Sequence, residues 1–195
     1  MDDAQQQIDS VFRLVDRPVW IVTSAAGGRR GGLVATFIMQ ASIDPTAPLV
    51  VAALAPNHFT AELVAQSGGF TLHLVAPRQL DLLWRFSIGS GRDVDKLVGL
   101  ATTTGASGSP ILDDCLAWLD CRVVTRYDGG DRWYFWADVL AGGQNSAEPP
   151  LTEQALLAAA SPQQRAALVA NLQTDRQLHG PLRTLWRKRV SGREA

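Results

Sequence analysis

The residues of this chain best suited to chemistry fall in one stretch, Gly31 to Pro45, where Thr36, Gln40 and Ser42 interrupt a strand-like apolar run. Small and polar side chains where a core strand would carry valine mark a strand with something laid against it. A ligand, a cofactor and a second backbone are the candidates. A second polar group, Asn57-His58-Phe59-Thr60, stands where a loop opens a short helix. A third is the charge run Arg92-Asp93-Val94-Asp95-Lys96. Each has a plainer reading: Thr36 and Ser42 as strand hydroxyls, Asn57 and Thr60 as helix caps, the charge run as a self-paired solvated face. Cys115 and Cys121 are six positions apart, and the three histidines (His58, His73, His179) are scattered, with no H-x-x-x-H or C-x-x-C group. That pattern suits reduced thiols and no metal site.

The composition sets the class in which such a stretch must work. At 195 residues the chain fits one ordinary domain, or a domain with an appendage. With 46% hydrophobic and 19% charged residues it has no disorder signature, and a formal net charge of −1 gives no footprint for nucleic acid or a membrane surface. No apolar run approaches the roughly 20 residues that span a bilayer. Met1-Asp2-Asp3 lacks the order of a signal peptide, so a cytoplasmic location is expected.

The elements that must hold these residues are mostly strands. Residues 4 to 15, with Ile8, Val11, Phe12 and Val15 at helical spacing, read as an amphipathic helix. Residues 19–24 form a strand, 27–32 its turn, 33–42 the return strand and 49–54 a buried third strand. A short helix over 61–66 ends at Gly68-Gly69, a fourth strand covers 70–75, and a helix covers 78–87. Two long strands, 116–127 and 132–140, flank Asp128-Gly129-Gly130-Asp131, the clearest hairpin signal. Trp20, Trp118, Trp133 and Trp136 lie in strands and suit core or interface positions.

Tight turns with only brief helices predict a mainly β fold: an antiparallel, Greek-key split barrel, not a Rossmann sheet. No G-x-G-x-x-G lies between a strand and a helix; the paired glycines sit between two strands. Past Gly142-Gly143 the composition changes. The spacing predicts a barrel domain, residues 1–145, and a helical extension, residues 146–195, too small for its own core. In that extension Thr152 caps an alanine-rich helix, and Ser161-Pro162 starts another that Gly180-Pro181 is expected to end. Its apolar face must pack on the barrel or on a second chain.

Several ordered segments resemble one family. Gly32 to Pro45 is similar to the G-[ML]-[TV]-A-[TS]-[WF]-x-x-Q-x-S-x-[DE]-P segment of the flavin reductase-like proteins, the FMN-binding split barrels that include the reductase modules of diflavin flavoproteins. Residues 49–75 follow in register. So do Leu83-Trp84-Arg85-Phe86 with Asp95-Lys96-Leu97, and Pro110-Ile111-Leu112 with Leu119-Asp120-Cys121-Arg122-Val123. The likeness covers roughly residues 15 to 140.

This resemblance implies a bound FMN, with FAD as the alternative, and NADH or NADPH as electron donor. A flavin needs a cradle for its phosphate, donors for its ring and an apolar platform. By resemblance Ala35, Thr36, Phe37 and Ile38 lie along the ring, Leu54 and Ala55 line the site, and Phe86 packs at its edge. Asn57, His58, Phe59 and Thr60 offer N–H groups and a hydroxyl to the phosphate, and Arg92 or Lys96 offers charge. The family carries G-D-H in the late hairpin where this chain has Gly130-Asp131-Arg132. Arg132 is therefore the nicotinamide-binding candidate, and it equally suits a flavin-binding electron carrier or sensor with no nicotinamide activity. A homodimer is implied, with an oxygenase or other redox protein, a free flavin or a metal as acceptor. No catalytic side chain is assigned.

Overall fold

A computed structural model describes residues 3–192. Its main sheet is formed by β1 (Trp20–Ala26), β2 (Arg29–Ala35), β3 (Ile38–Gln40), β4 (Leu49–Leu54), β5 (Gly69–Leu74), β8 (Ala117–Asp128) and β9 (Trp133–Gln144), with β6 (Thr102–Thr104) and β7 (Pro110–Leu112) as a small separate pair. The strand order is β2-β1-β5-β8-β9-β4-β3, antiparallel throughout. Its two edge strands, β2 and β3, are consecutive in sequence and separated only by Thr36 and Phe37. Ala35 to Ile38 can span about 11 Å at full stretch, so the sheet has to curl until its edges meet at that corner. The result is the split barrel.

Local sequence accounts for the corner. Gly27 and Gly28 both have positive φ, as a two-residue hairpin turn requires, so the turn is shorter than the expected 27–32. Arg29 to Gly32 instead pair with β1. Gly31 and Gly32 sit in the strand because aromatic rings cover them: a Cβ on Gly31 would meet Leu63 and Phe59, and one on Gly32 would run into Phe86. The expected return strand 33–42 is correspondingly broken at Thr36-Phe37, where the chain passes from one sheet edge to the other.

Alternation along β1 divides the core. Val22 points into the barrel with Leu54, Phe70, Leu72 and Phe135. Ile21 points out, against Phe86, Leu83 and Leu97, under α3 (Leu80–Ser87) and α4 (Glu153–Ala159). Residue Leu151 clamps this outer layer through backbone bonds to Val19 and Val75. Helix α1 (Asp3–Arg13) buries none of its residues, and Ile8, Val11 and Phe12 are exposed.

The last helix corrects an expectation. Gly180-Pro181 do not end it; α5 runs from Pro162 to Val190 with Pro181 inside. Proline removes one backbone bond, but the turns beyond it dock on the β8–β9 hairpin. A Cβ on Gly130 would lie 2.7 Å from Trp186 Cβ and 3.0 Å from the Leu182 carbonyl, and Gly130 has φ +90°. Only glycine permits that approach. Trp186 Nε1 reaches the Tyr127 hydroxyl at 3.4 Å, and Arg189 lies 3.5 Å from Asp128.

Candidate functional site

The corner between β2 and β3 is the first part of the site. The Phe37 carbonyl accepts from Ala53 N–H at 2.9 Å, which fastens the corner to β4. The Phe37 ring is 49% exposed, with the guanidinium carbons of Arg17 and Arg132 5.4 and 6.0 Å from its centre. Thr36 is half-buried beside it. Ala35 and Ile38 pack towards the barrel core, and the Leu54 side chain lies within it. Ala55 is buried too, so at Leu54 and Ala55 only the backbone is offered to a ligand. Gln40 and Ser42 are spent locally: the Gln40 amide donates to the Ser42 carbonyl at 2.7 Å, and Ser42 Oγ accepts from Asp44 N–H at 3.1 Å. Their polar character serves the turn.

The second part is the start of α2 (Phe59–Ser67). Its N-cap is His58, in extended backbone and with no capping side-chain bond. The amide of Asn57 does not cap the helix either; it points away towards α5. Thr60 is buried, and Phe59 is buried against Gly31 and Gly91, with the Arg29 guanidinium 4.2 Å and the Arg92 guanidinium 5.7 Å from its ring centre.

The two expected cations differ. Arg92 is committed to Glu62 at 2.7 Å and reaches the Asn57 carbonyl at 3.4 Å. Lys96 is 7% exposed and donates to the Phe86 carbonyl at 3.0 Å, its one hydrogen-bond partner among the described residues, where it has no carboxylate partner. Burial pushes its ammonium below the ordinary lysine range. A buried cation without a counterion favours an incoming anion.

Sequence reasoning missed the third part, which comes from α5. The imidazole of His179, 5% exposed, bridges the barrel and α5: Nδ1 lies 3.0 Å from Arg132 Nη1 and Nε2 2.9 Å from Asn57 Oδ1. Arginine only donates, so Nδ1 accepts and Nε2–H donates to Asn57; the ring is neutral. Burial, then Arg132, holds its pKa below the ordinary histidine value, opposed by Asp175 and Asp131. Asp175 Oδ1 accepts from the Asn57 amide at 3.4 Å and lies 3.6 Å from His58 Nε2. Burial also lowers the His58 pKa, against the attraction of Asp175. Two of the three scattered histidines are therefore neighbours. The one sequence signal of the α5 part was a histidine directly before Gly180-Pro181, the pair expected to end a helix.

The structure thus joins Phe37, Asn57, His58 and Arg132 with Asp175 and His179, places Lys96 under Phe86 near His58, and sets Arg92 at the rim. A cleft of about 620 Å³ lies between residues 25–30 and 91–95 and meets the candidate residues only at Arg92. Most of the candidate residues gather instead at the corner and the α2 start, away from that arginine-rich cleft. Among the described residues no group of three or more His, Cys, Asp or Glu is set to hold a metal. Burial raises the thiols of Cys115 and Cys121 to about 11 and about 12.

Comparison with known proteins gives the family. The family pattern described as "Flavin reductase like domain" matches residues 12–158. Diflavin flavoprotein A 1 from Synechocystis sp. is 30% identical over 135 residues, 67% of this chain and 22% of that protein. This chain therefore spans about a fifth of the length of that relative. The reductase subunit of a flavin-dependent monooxygenase from Rhodococcus jostii is 31% identical over 133 residues, covering 68% of this chain and 66% of that one. Among solved structures, nitrilotriacetate monooxygenase component B from Mycobacterium thermoresistibile superposes with TM-score 0.65 at 28% identity, over 76% of this chain and 82% of that one.

Proposed function

Because this chain belongs to the flavin reductase-like family, we propose that it is a flavin-binding oxidoreductase of the NAD(P)H-dependent flavin reductase type, with FMN as cofactor and FAD as the alternative. The carrying observation is Lys96, a buried cation without a carboxylate partner among the described residues, close enough to His58 at the start of α2 to act on its charge and bonded to the carbonyl of Phe86, whose ring lies against Gly32 of β2. That combination fits a flavin phosphate near Lys96, Asn57 and His58, and a ring along Ala35 to Ile38. A flavin held there would supply the redox chemistry, hydride acceptance from NADH or NADPH and onward transfer of electrons.

The chain's own residues bind and orient. Lys96 and the free N–H groups of the α2 start neutralise the phosphate, with Thr60 and Phe59 buried behind them as support. Phe37 and the backbone of residues 35–38 give the ring an apolar platform, and Leu54, Ala55 and Phe86 close the wall behind it. Arg92, paired with Glu62, holds the loop at the rim, and Arg132 offers a fixed positive charge beside Phe37 to the anionic part of a dinucleotide. No side-chain acid or base is assigned to the hydride step, which depends on positioning.

The monooxygenase reductase relatives support an oxygenase or another redox protein as acceptor. The uncovered apolar residues of α1 and α5 support a homodimer. The reading takes residues 1–145 as a barrel domain and residues 146–195 as a helical extension that packs on it through Leu151 and Leu156, in a protein of the cytoplasm. A second reading, an electron carrier without nicotinamide activity, is favoured by the engagement of Arg132 with His179. Anaerobic mixing of flavin-loaded protein with NADH and with NADPH separates the two. Bleaching of the flavin absorbance within minutes is expected; no bleaching with either donor leaves the carrier.

A further inference from the structure

Helix α5 has 29 residues and buries only one of them, His179. Helices are ordinarily held by an apolar stripe, yet Val169, Leu172, Leu178, Leu182 and Leu185 are all at least 40% exposed. Where α5 crosses the barrel corner its contacts are polar: Asp175 to Asn57 and His58, His179 to Asn57 and Arg132. Both residues lie beyond the stretch that matches the family. The groups they occupy are those that the flavin reading gives to the ligand.

We infer that Asp175 is a specificity-determining residue of this site, a built-in carboxylate that stands where a ligand phosphate would meet Asn57 and His58. The inference rests on the flavin reading above. Asn57 Nδ2 donates to the Asp175 carboxylate at 3.4 Å with His58 Nε2 3.6 Å away, and a setting that holds a carboxylate suits a phosphate oxygen equally well. An entering phosphate therefore meets a like charge at hydrogen-bonding range, with Lys96 and Arg132 as the cations that oppose it. Asp175 penalises phosphorylated ligands and spares uncharged ones, and a phosphate that binds displaces Asp175 and loosens the middle of α5. His179 is the positioning partner: it fixes the Asn57 amide so that Nδ2 faces Asp175 while Oδ1 accepts from the imidazole.

The test is equilibrium binding of FMN and of riboflavin, which lacks the phosphate, to the full chain and to Asp175→Asn. Asparagine keeps the shape and an acceptor and removes the charge. Asp175→Asn is expected to tighten FMN about tenfold, the order set by removing one like charge at a half-buried site, and to leave riboflavin unchanged. Equal tightening of both ligands, or no gain for FMN, would overturn the proposal. Failure of both flavins to bind the wild type would instead overturn the flavin reading. Inorganic phosphate then decides the proposal separately: it should speed amide exchange over residues 172–182 of the wild type, and unchanged exchange would refute it.

Discussion

The imidazole of His179 accepts a hydrogen bond from Arg132 at 3.0 Å, across 47 residues of sequence, and so ties the C-terminal helix to the late hairpin. The bond exists only while the ring is neutral. Burial and Arg132 lower its folded-state pKa, partly offset by Asp175 and Asp131, and the neighbouring His58 is lowered likewise. The unfolded chain thus binds protons more readily than the folded one, and the stabilisation is complete above the ordinary histidine pKa of about 6.5 and lost as pH falls through the lowered folded value. The protection factors of the amides of residues 175–182, exchange rates corrected for their intrinsic slowing in acid, are expected to fall as pH drops below about 6.5, before those of the barrel. His179→Gln, which can still accept from Arg132, should remove part of that pH dependence; an unchanged profile would contradict it.

Lys96 gives a binding prediction. Lys96→Met keeps the buried stem and removes the charge. FMN affinity should fall at least tenfold, the scale of a lost charge-assisted hydrogen bond, while riboflavin is little affected. Isothermal titration reads both. Equal losses for the two flavins would place Lys96 in the framework only.

Gly32 is held to glycine by a ring and not by its backbone angles. An added methyl would run into Phe86, whose carbonyl receives Lys96. Gly32→Ala should cost about 2 kcal/mol by overpacking, read as a lower urea midpoint, and should weaken flavin binding by moving Lys96. Retained stability would mean that Phe86 can step aside.

His73 supplies a global acid response. Its Nδ1–H donates to the Ile21 carbonyl at 3.1 Å, its Nε2 accepts from Leu112 N–H at 3.0 Å, and burial lowers its pKa to about 4. A lowered histidine pKa removes stability as pH falls from the unfolded value of about 6.5, by about 3 kcal/mol at pH 4. Urea unfolding at a series of pH values should show that slope, and His73→Gln should flatten it.

What the sequence made legible follows from range. The barrel could be read because each strand carries its own alternation and turn glycines, so β1, β4, β5, β8 and β9 fall near their expected places. The corner was visible as unusual polarity at Thr36, but not as the meeting of two sheet edges, because the strand order is a long-range property. Local rules placed a helix end at Gly180-Pro181. The docking of Trp186 and Leu182 on Gly130 overrides it, and no local signal carries that contact. Asp175 and His179 were hidden for the same reason: each looks like an ordinary surface residue until α5 lies across the barrel.

The proposed function requires flavin to bind along Ala35 to Ile38 with its phosphate towards Lys96. The most direct measurement is a flavin fluorescence titration of the wild type and of Thr36→Tyr, which places a ring in the half-buried corner, with circular dichroism to establish that both are folded. Saturable, stoichiometric FMN quenching is expected for the wild type and none for Thr36→Tyr. Equal binding by the two folded proteins would contradict it.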